Sequence, residues 1–328
     1  MNLEIISGAL AALCVVTAWS MQKSDFFMGK SAQSAPAQAN KKIAVLTFKR
    51  SAELCIDKQY LESLFTQEGL IYQEVIWDTP GVDWHQYDAV IIRSACDYFD
   101  GKYEQFINTL QHIEKLGIPL YNPLDTVRWN SKKTYLSDLK ERGINVIETI
   151  FGNSSQIKNL AEIMKENNWH ACVVKPVISA AAYKTFFIKL HDAQEFDFSA
   201  HFSPNEFFLI QPFAQEIIDE GEWSFIFFDK KFSHAMLSKP KQWDFRVQFF
   251  HGGRLLPVKP EPWMVQEAQR ILQAAPFEKI LYARVDAIKR DNKLFVMELE
   301  MIEPYLYFDY YPDSAKTFVK TIKQYLAY

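Results

Sequence analysis

Asp286, Glu298 and Glu300 have the types and spacing to hold a hard divalent cation between two adjacent strands. They lie within residues 281–304, LYARVDAIKRDNKLFVMELEMIEP. Side chains along a strand alternate faces, so Glu298 and Glu300 share one face while Phe295, Met297, Leu299 and Met301 share the other. In the preceding stretch Tyr282, Arg284 and Asp286 separate in the same way from Leu281, Ala283, Val285 and Ala287. Directly opposed residues of an antiparallel hairpin point to one side. Setting Asp286 against Glu298 then requires an odd number of loop residues, and Asp291, Asn292 and Lys293 supply three. This register stacks both apolar stripes on one face and gathers the three carboxylates, with Arg284 beside them, on the other. Such oxygen ligands suit a hard ion such as magnesium. A solvated sheet face on which Arg284 neutralises the acids has the same pattern, and both readings stand on this segment alone.

Two lysines upstream could meet phosphate. Lys175 follows the apolar run ACVV and precedes Pro176, which biases it to an extended conformation at a strand end. The loop beyond it carries Ser179, Ala180, Ala181 and Ala182, whose small side chains let backbone amides approach phosphate oxygens. Lys133 lies in WNSKKTYLSDL. The plainer alternatives are a surface lysine beside a turn for Lys175 and an exposed helix lysine for Lys133.

The elements that must position these groups are read from hydrophobic period and turn residues. KIAVLTF is a buried-type strand, residues 60–68 are helical, and YQEVIW, YDAVIIRS and IPLYNP follow at βαβ spacing, which predicts an α/β domain over 41–125. Residues 129–142 read as one helix stopped by Gly143. NVIETIF opens a second unit, with strands ACVVKP and KTFFIKL, then FFLIQPF, EWSFIFFD, KFSHAMLS and DFRVQFF. A helix over 264–275 leads into the carboxylate hairpin, and a helix over 314–325 closes the chain.

A chain of 328 residues is long enough for two or three packed subdomains. The net charge of −4, without a polybasic run, argues against a nucleic-acid binder. The four cysteines are far apart and form no CxxC pair, so neither a disulfide framework nor a zinc knuckle is indicated, and a reducing compartment fits. The sequence has no HExxH, GxSxG, GxxxxGK[ST] or GxGxxG motif, which weakens zinc-hydrolase, serine-hydrolase, P-loop and dinucleotide readings. Residues 5–19 form an apolar run shorter than the roughly 20 residues of a comfortable membrane span. Weak membrane tether, early translation start and export signal are the three readings of that run. Residues 31–40, SAQSAPAQAN, read as a flexible linker.

Taken in order, WNSKKTYLSDL, VVKPVISAAAYKT, LIQPFAQEIIDEGEWSFIFF, DFRVQFFHGG, YARVDAI and VMELEMIEP resemble the ATP-grasp superfamily, in the branch of bacterial glutathione synthetase and O-ureido-D-serine cyclo-ligase type ligases. The resemblance covers roughly residues 42–328. It implies an α/β (α+β) fold in which an N-terminal pre-ATP-grasp domain, 41–125, precedes a small lobe, 126–206, and a large lobe with the metal-binding hairpin, 207–328. It also implies that Lys133, Lys175 and Ser179 meet ATP phosphates, that Gln211 to Phe213 borders adenine, and that Glu216 or Glu222 meets ribose. Arg246 would stand near the transferred phosphate and the substrate carboxylate, with Lys175 as its catalytic companion. Asp286, Glu298 and Glu300 match the positions for one or two magnesium ions, with manganese able to substitute. Arg93 and Asp97, in RSACDYFD, and Glu303 are candidates for an amino-acid-like substrate. SAAAYK replaces the glycine-rich loop of many relatives, and Glu300 replaces a common asparagine.

The implied chemistry is activation of a small carboxylate as an acylphosphate, followed by attack of an amine or related nitrogen nucleophile. A protein-modifying amino-acid ligase and a nucleotide-binding regulatory module are the competing expectations. ATP supply favours the cytoplasm for each of them, and the oligomeric state is left open.

Overall fold

The computed structural model describes residues 40–49, 57–180, 182–241, 244 and 252–327. Expectations for the apolar run at 5–19, the linker, Arg246 and the strand DFRVQFF beyond Asp244 fall outside the described residues. The described residues form one compact unit.

The first layer is a parallel sheet of order β2-β1-β3-β4, built from β1 (Lys41–Thr47), α1 (Asp57–Gln67), β2 (Leu70–Ile76), β3 (Ala89–Ser94), α2 (Tyr103–Lys115) and β4 (Leu120–Tyr121). Both faces of such a sheet are covered, so its strands are apolar throughout. Ala44, Leu46, Val90 and Ile92 pack into the core that contains Phe106 and Leu110 of α2. Ile43, Val45, Ala89 and Ile91 pack on the other side, with Leu61 and Phe65 of α1.

The expected helix over 129–142 is broken into α3 (Leu124–Asn130) and α4 (Tyr135–Glu141). Lys133 lies in the break, where its amide donates to the Val177 carbonyl at 2.9 Å. Gly143 does stop α4, at φ 78°, the left-handed conformation that a side chain would disfavour.

The second sheet has the order β5-β8-β6-β7 and comprises β5 (Ile150–Gly152), β6 (Ala171–Pro176), β7 (Phe186–Lys189) and β8 (Phe208–Pro212). Helices α5 (Leu160–Glu166) and α6 (Phe198–His201) pack on it, and α7 (Glu216–Asp219) follows β8. Since β8 runs between β5 and β6, the boundary expected at 206 falls just before a strand interior to this sheet. Tyr135, Leu136 and Leu139 of α4 bury in the large-lobe core, so the beginning of 126–206 belongs with that lobe as well.

The large lobe is an antiparallel sheet of order β11-β10-β9-β12-β13: β9 (Glu222–Phe228), β10 (Lys231–Lys239), β11 (Arg254–Val258), β12 (Tyr282–Arg290) and β13 (Lys293–Glu300). Helix α8 (Pro262–Gln273) covers one face through Met264, Ala268, Ile271 and Leu272. The other face divides. At one end Ile226, Phe228 and Tyr282 bury against Phe318, Val319 and Ile322 of α9 (Pro312–Tyr325); the remainder carries the acids.

Asp286 is opposite Glu298, as the sequence reading requires, but the parity comes from elsewhere. The turn has two residues, Asp291 and Asn292, at φ 50° and 54°, the doubly left-handed geometry of a type I′ hairpin. Asp286 pairs with Glu298 and Ala287 with Val296, so Met297 is the extra residue of a β-bulge. The expected shared stripe of Phe295, Met297, Leu299 and Met301 is thereby split. Leu294, Val296, Leu299 and Met301 enter the large-lobe core, whereas Phe295 and Met297 turn to the opposite side, packing near Ile147, Ala214, Ile217 and Ile288.

Candidate active site

The edge strand β13 is pinned by side chains that borrow its free backbone groups. Asn130 donates from Nδ2 to the Leu299 carbonyl at 2.6 Å and accepts the Met301 amide on Oδ1 at 2.7 Å, bracketing Glu300. The Leu299 amide donates to the Tyr135 hydroxyl at 2.9 Å. Asn122 ties the hairpin's outer ends, donating to the carbonyls of Tyr282 and Met301 and accepting the Leu281 amide. Buried strand edges and helix breaks must satisfy such groups, and here each satisfies the other.

A cleft enclosing ≈ 670 Å³, open solvent at its mouth included, lies between the two antiparallel sheets. Lys133, Lys175 and Glu298 form its head, Ser179, Ala180 and Thr185 one side, and Phe213, Ile217 and Met297, with Gln211 beside them, the remainder. Lys175 Nζ donates to Glu298 Oε1 at 2.6 Å, and Lys133 Nζ lies 3.7 Å from Oε2 of the same carboxylate. Lys133 also donates to the Ser179 carbonyl at 2.7 Å. Thus the lysine that the plainer reading placed on an exposed helix is 6 % exposed. Burial lowers the Lys133 pKa, against the pull of Glu298.

On the same face Arg284 binds two acids at once. Its Nε donates to Asp286 Oδ1 at 2.9 Å, and its Nη2 to Asp286 Oδ2 at 3.0 Å and to Glu300 Oε1 at 2.5 Å. Glu222 adds a fourth carboxylate. Burial, and then Asp286 and Glu298, push Glu222 up to about 8. Burial pushes Glu300 up to about 8 as well, with Asp286 and Glu298 adding to it while Arg284 opposes. Glu298 is held down at about 2, because Lys133, Lys175 and Arg284 outweigh the burial that opposes its charge. Among the described residues no three His, Cys, Asp or Glu side chains stand together as a ready-made metal site. The acids share one face as expected, but each is engaged by a protein cation instead of converging on a common point. The donor set itself consists of hard oxygens in excess of the local cations, which is the chemistry a magnesium-sized ion requires.

The other candidates divide. Gln211 is buried and donates to Thr149 Oγ1 at 2.9 Å, and the Phe213 amide donates to the Ala171 carbonyl at 2.9 Å. Glu216 is held by Arg290 through both carboxylate oxygens, which lowers its pKa. Glu303 joins the site: burial raises it to about 7, Tyr98 donates a hydrogen bond to it, and its Oε2 is buried with no hydrogen-bond partner among the described residues.

The structure gives Arg93 a different place from the one expected. It is 3 % exposed, donates to Asp57 at 2.8 Å and to the Pro304 carbonyl at 2.9 Å, and lies over the rings of Tyr282 and Phe318. Its work is to hold α1 and the end of the hairpin together. Asp97 accepts the Trp77 indole at 2.6 Å and Lys102 at 2.8 Å, so it too is engaged within the first domain. Sequence reasoning missed Asn130, Tyr135 and Ser224; no local signal distinguishes them, since their roles depend on contacts with distant strands.

These observations define a class first. A parallel first domain followed by two antiparallel lobes, with lysines from one side and a carboxylate hairpin from the other enclosing a cleft, is a fold this chain shares with solved ATP-grasp ligases. Residues 43–122 match the family model described as the N-terminal domain of D-cycloserine synthetase DcsG. The cycloserine biosynthesis protein DcsG of Streptomyces lavendulae is 23% identical over 283 residues, spanning 78% of this chain and 89% of that protein. The crystal structure of D-cycloserine synthetase DcsG superposes with a TM-score of 0.75 at 20% identity, covering 87% of this chain and 99% of the other. D-alanine–D-alanine ligase from Bacillus anthracis, complexed with ATP, gives a TM-score of 0.61 at 14% identity, with coverage of 88% and 97%.

Proposed function

We propose that this chain is an ATP- and magnesium-dependent ligase that activates the carboxylate of a small amino-acid-like substrate for attack by an amine or related nitrogen nucleophile. The observation that carries this reading is the convergence of Lys133 and Lys175 on Glu298 at the head of a cleft floored by Gln211, Phe213 and Met297. Phosphoryl transfer needs positioning and charge neutralisation more than a protein nucleophile. Two buried lysines facing carboxylates supply both. The DcsG and D-alanine–D-alanine ligase likenesses support small amino acids over a polypeptide as the substrate class.

In this reading the lysines exchange Glu298 for the phosphates of ATP. Asp286, Glu298 and Glu300 would hold magnesium, which when bound would offset charge on those phosphates. The adenine lies against the apolar part of the cleft beside Gln211 and Phe213. Because Glu216 is occupied by Arg290, Glu222 is the better partner for the ribose. Arg284, released from the acids, faces the reacting end, and Arg246, outside the described residues, is the second arginine assigned to the transferred phosphate. The substrate carboxylate oxygen attacks the γ-phosphorus and ADP leaves. The nitrogen nucleophile then attacks the acyl carbon, the bond from that carbon to the bridging oxygen breaks, phosphate leaves with the bridging oxygen, and the nitrogen gives up its proton. Glu303, presented by Tyr98 at the substrate end, receives an N–H donor of the substrate. ATP supply assigns this reaction to the cytoplasm. No helix among the described residues is long and apolar enough to cross a membrane.

The test is ADP release from purified protein supplied with panels of amino acids and amines. Turnover that disappears in Lys175→Ala and Glu298→Ala supports the reading. Turnover that survives the double substitution overturns it.

A further inference from the structure

Ser224 lies on β9 directly opposite Asp286 of β12. It is 2 % exposed, and its hydroxyl donates to Asp286 Oδ1 at 2.6 Å. The Tyr307 hydroxyl donates in turn to Ser224 Oγ at 3.4 Å. Tyr307 has φ 55°, a left-handed conformation that a bulky residue adopts only where its surroundings impose it. The two residues before it are fixed as well. Arg284 Nη1 donates to the Tyr305 carbonyl at 3.2 Å, and His234 Nε2 to the Leu306 carbonyl at 3.0 Å. Residues 305–307 therefore form a strap, bonded to the acidic face at Arg284 and Ser224 and to β10 at His234.

Asp286 thus has two kinds of donor, and they differ in what a divalent cation would do to them. The Arg284 guanidinium is itself a cation and competes with a metal for the same carboxylate. The Ser224 hydroxyl is neutral and has no cause to leave. We infer that Ser224 is a positioning residue for the divalent cation, keeping Asp286 oriented while Arg284 is exchanged, with Tyr307 setting the direction of the serine hydroxyl. The inference rests on the acidic hairpin being the metal site. It extends that site to two residues that touch neither the cation nor the nucleotide. Groups that orient metal ligands in this way typically alter metal affinity by about 10- to 100-fold when removed.

The experiment measures Mn2+ binding by electron paramagnetic resonance, in the presence of a non-hydrolysable ATP analogue, for the wild type, Ser224→Ala, Ser224→Thr and Tyr307→Phe. Melting temperatures without metal are recorded in parallel. Ser224→Ala is expected to weaken Mn2+ binding by about 10-fold or more. Ser224→Thr, which keeps the hydroxyl, restores most of the affinity, and Tyr307→Phe gives a smaller loss than Ser224→Ala. In turnover, the Mg2+ concentration for half-maximal rate rises more than the maximal rate falls. A merely structural serine would lower the melting temperature and leave Mn2+ affinity unchanged, which overturns the inference. Should Ser224→Ala fail to fold, Tyr307→Phe decides alone, with unchanged Mn2+ affinity counting against it. A wild type that binds the analogue but no Mn2+ overturns the metal reading itself, and the inference with it.

Discussion

At the residue scale, the chemistry of the cleft comes from groups whose ordinary behaviour is altered by burial. Lys175 and Glu298 were the readable pair, because a lysine before proline at a strand end and an alternating acid on a strand both have fixed directions. Glu303 was readable only as a neighbour; Tyr98, which presents it, comes from another domain. Glu303→Gln should raise the KM of the substrate it receives by about 10- to 100-fold, the cost of a hydrogen bond to a charged group. ATP affinity, measured by calorimetry, should be unchanged. His234 supplies a test of the pH dependence of folding. Burial lowers its pKa from 6.5 to about 4, so the unfolded chain binds this proton more readily than the folded one. Stability is therefore lost as pH falls from about 6.5 toward about 4, by on the order of 3 kcal/mol from this group. Denaturation across that range should show a shallower decline in His234→Gln than in the wild type.

At the element scale, the hairpin shows how local and distant causes divide. Alternation alone predicted that Asp286 and Glu298 share a face, and they do. The loop length was misjudged because two routes give the same parity: three loop residues, or two with a bulge. The bulge at Met297 was chosen by packing, since Leu294 and Val296 then enter the core while Phe295 and Met297 turn to the opposite side, where Met297 lines the cleft. Deleting Met297 should leave the Asp286–Glu298 pairing intact and the protein folded by circular dichroism. Nucleotide affinity should fall, because the cleft loses part of its apolar floor. Asn130 is the corresponding case for the strand edge. Asn130→Ala strands the Leu299 carbonyl and the Met301 amide, each buried, and should cost about 2–3 kcal/mol in urea denaturation. The single helix expected over 129–142 failed for a related reason. The period of its apolar residues continues through the break, where the Lys133 amide donates to the Val177 carbonyl instead of within a helix.

At the scale of the whole molecule, three sheets share one unit, and the cleft exists only where the two antiparallel ones meet. Ligand that binds the folded state alone stabilises it by mass action, about 2.7 kcal/mol at one hundred times its Kd. A thermal-shift series with ATP and Mg2+ together should therefore raise the melting temperature. In the Lys175→Ala, Glu298→Ala double variant that rise should vanish even where the protein remains folded.

The order of α/β, small-lobe and large-lobe elements was legible in the chain, because strand and helix periods are local properties and turn residues punctuate them. So was the face of the hairpin that carries the acids. The amino-acid sequence by itself determined which side chains are able to neutralise phosphate or hold a cation. Only the tertiary structure decided that Arg93 is a core strut, that Glu216 is taken by Arg290, and that Ser224 meets Asp286, since each depends on a partner far away in the chain. Periodicity sets the direction of a side chain, and packing sets what stands there to meet it.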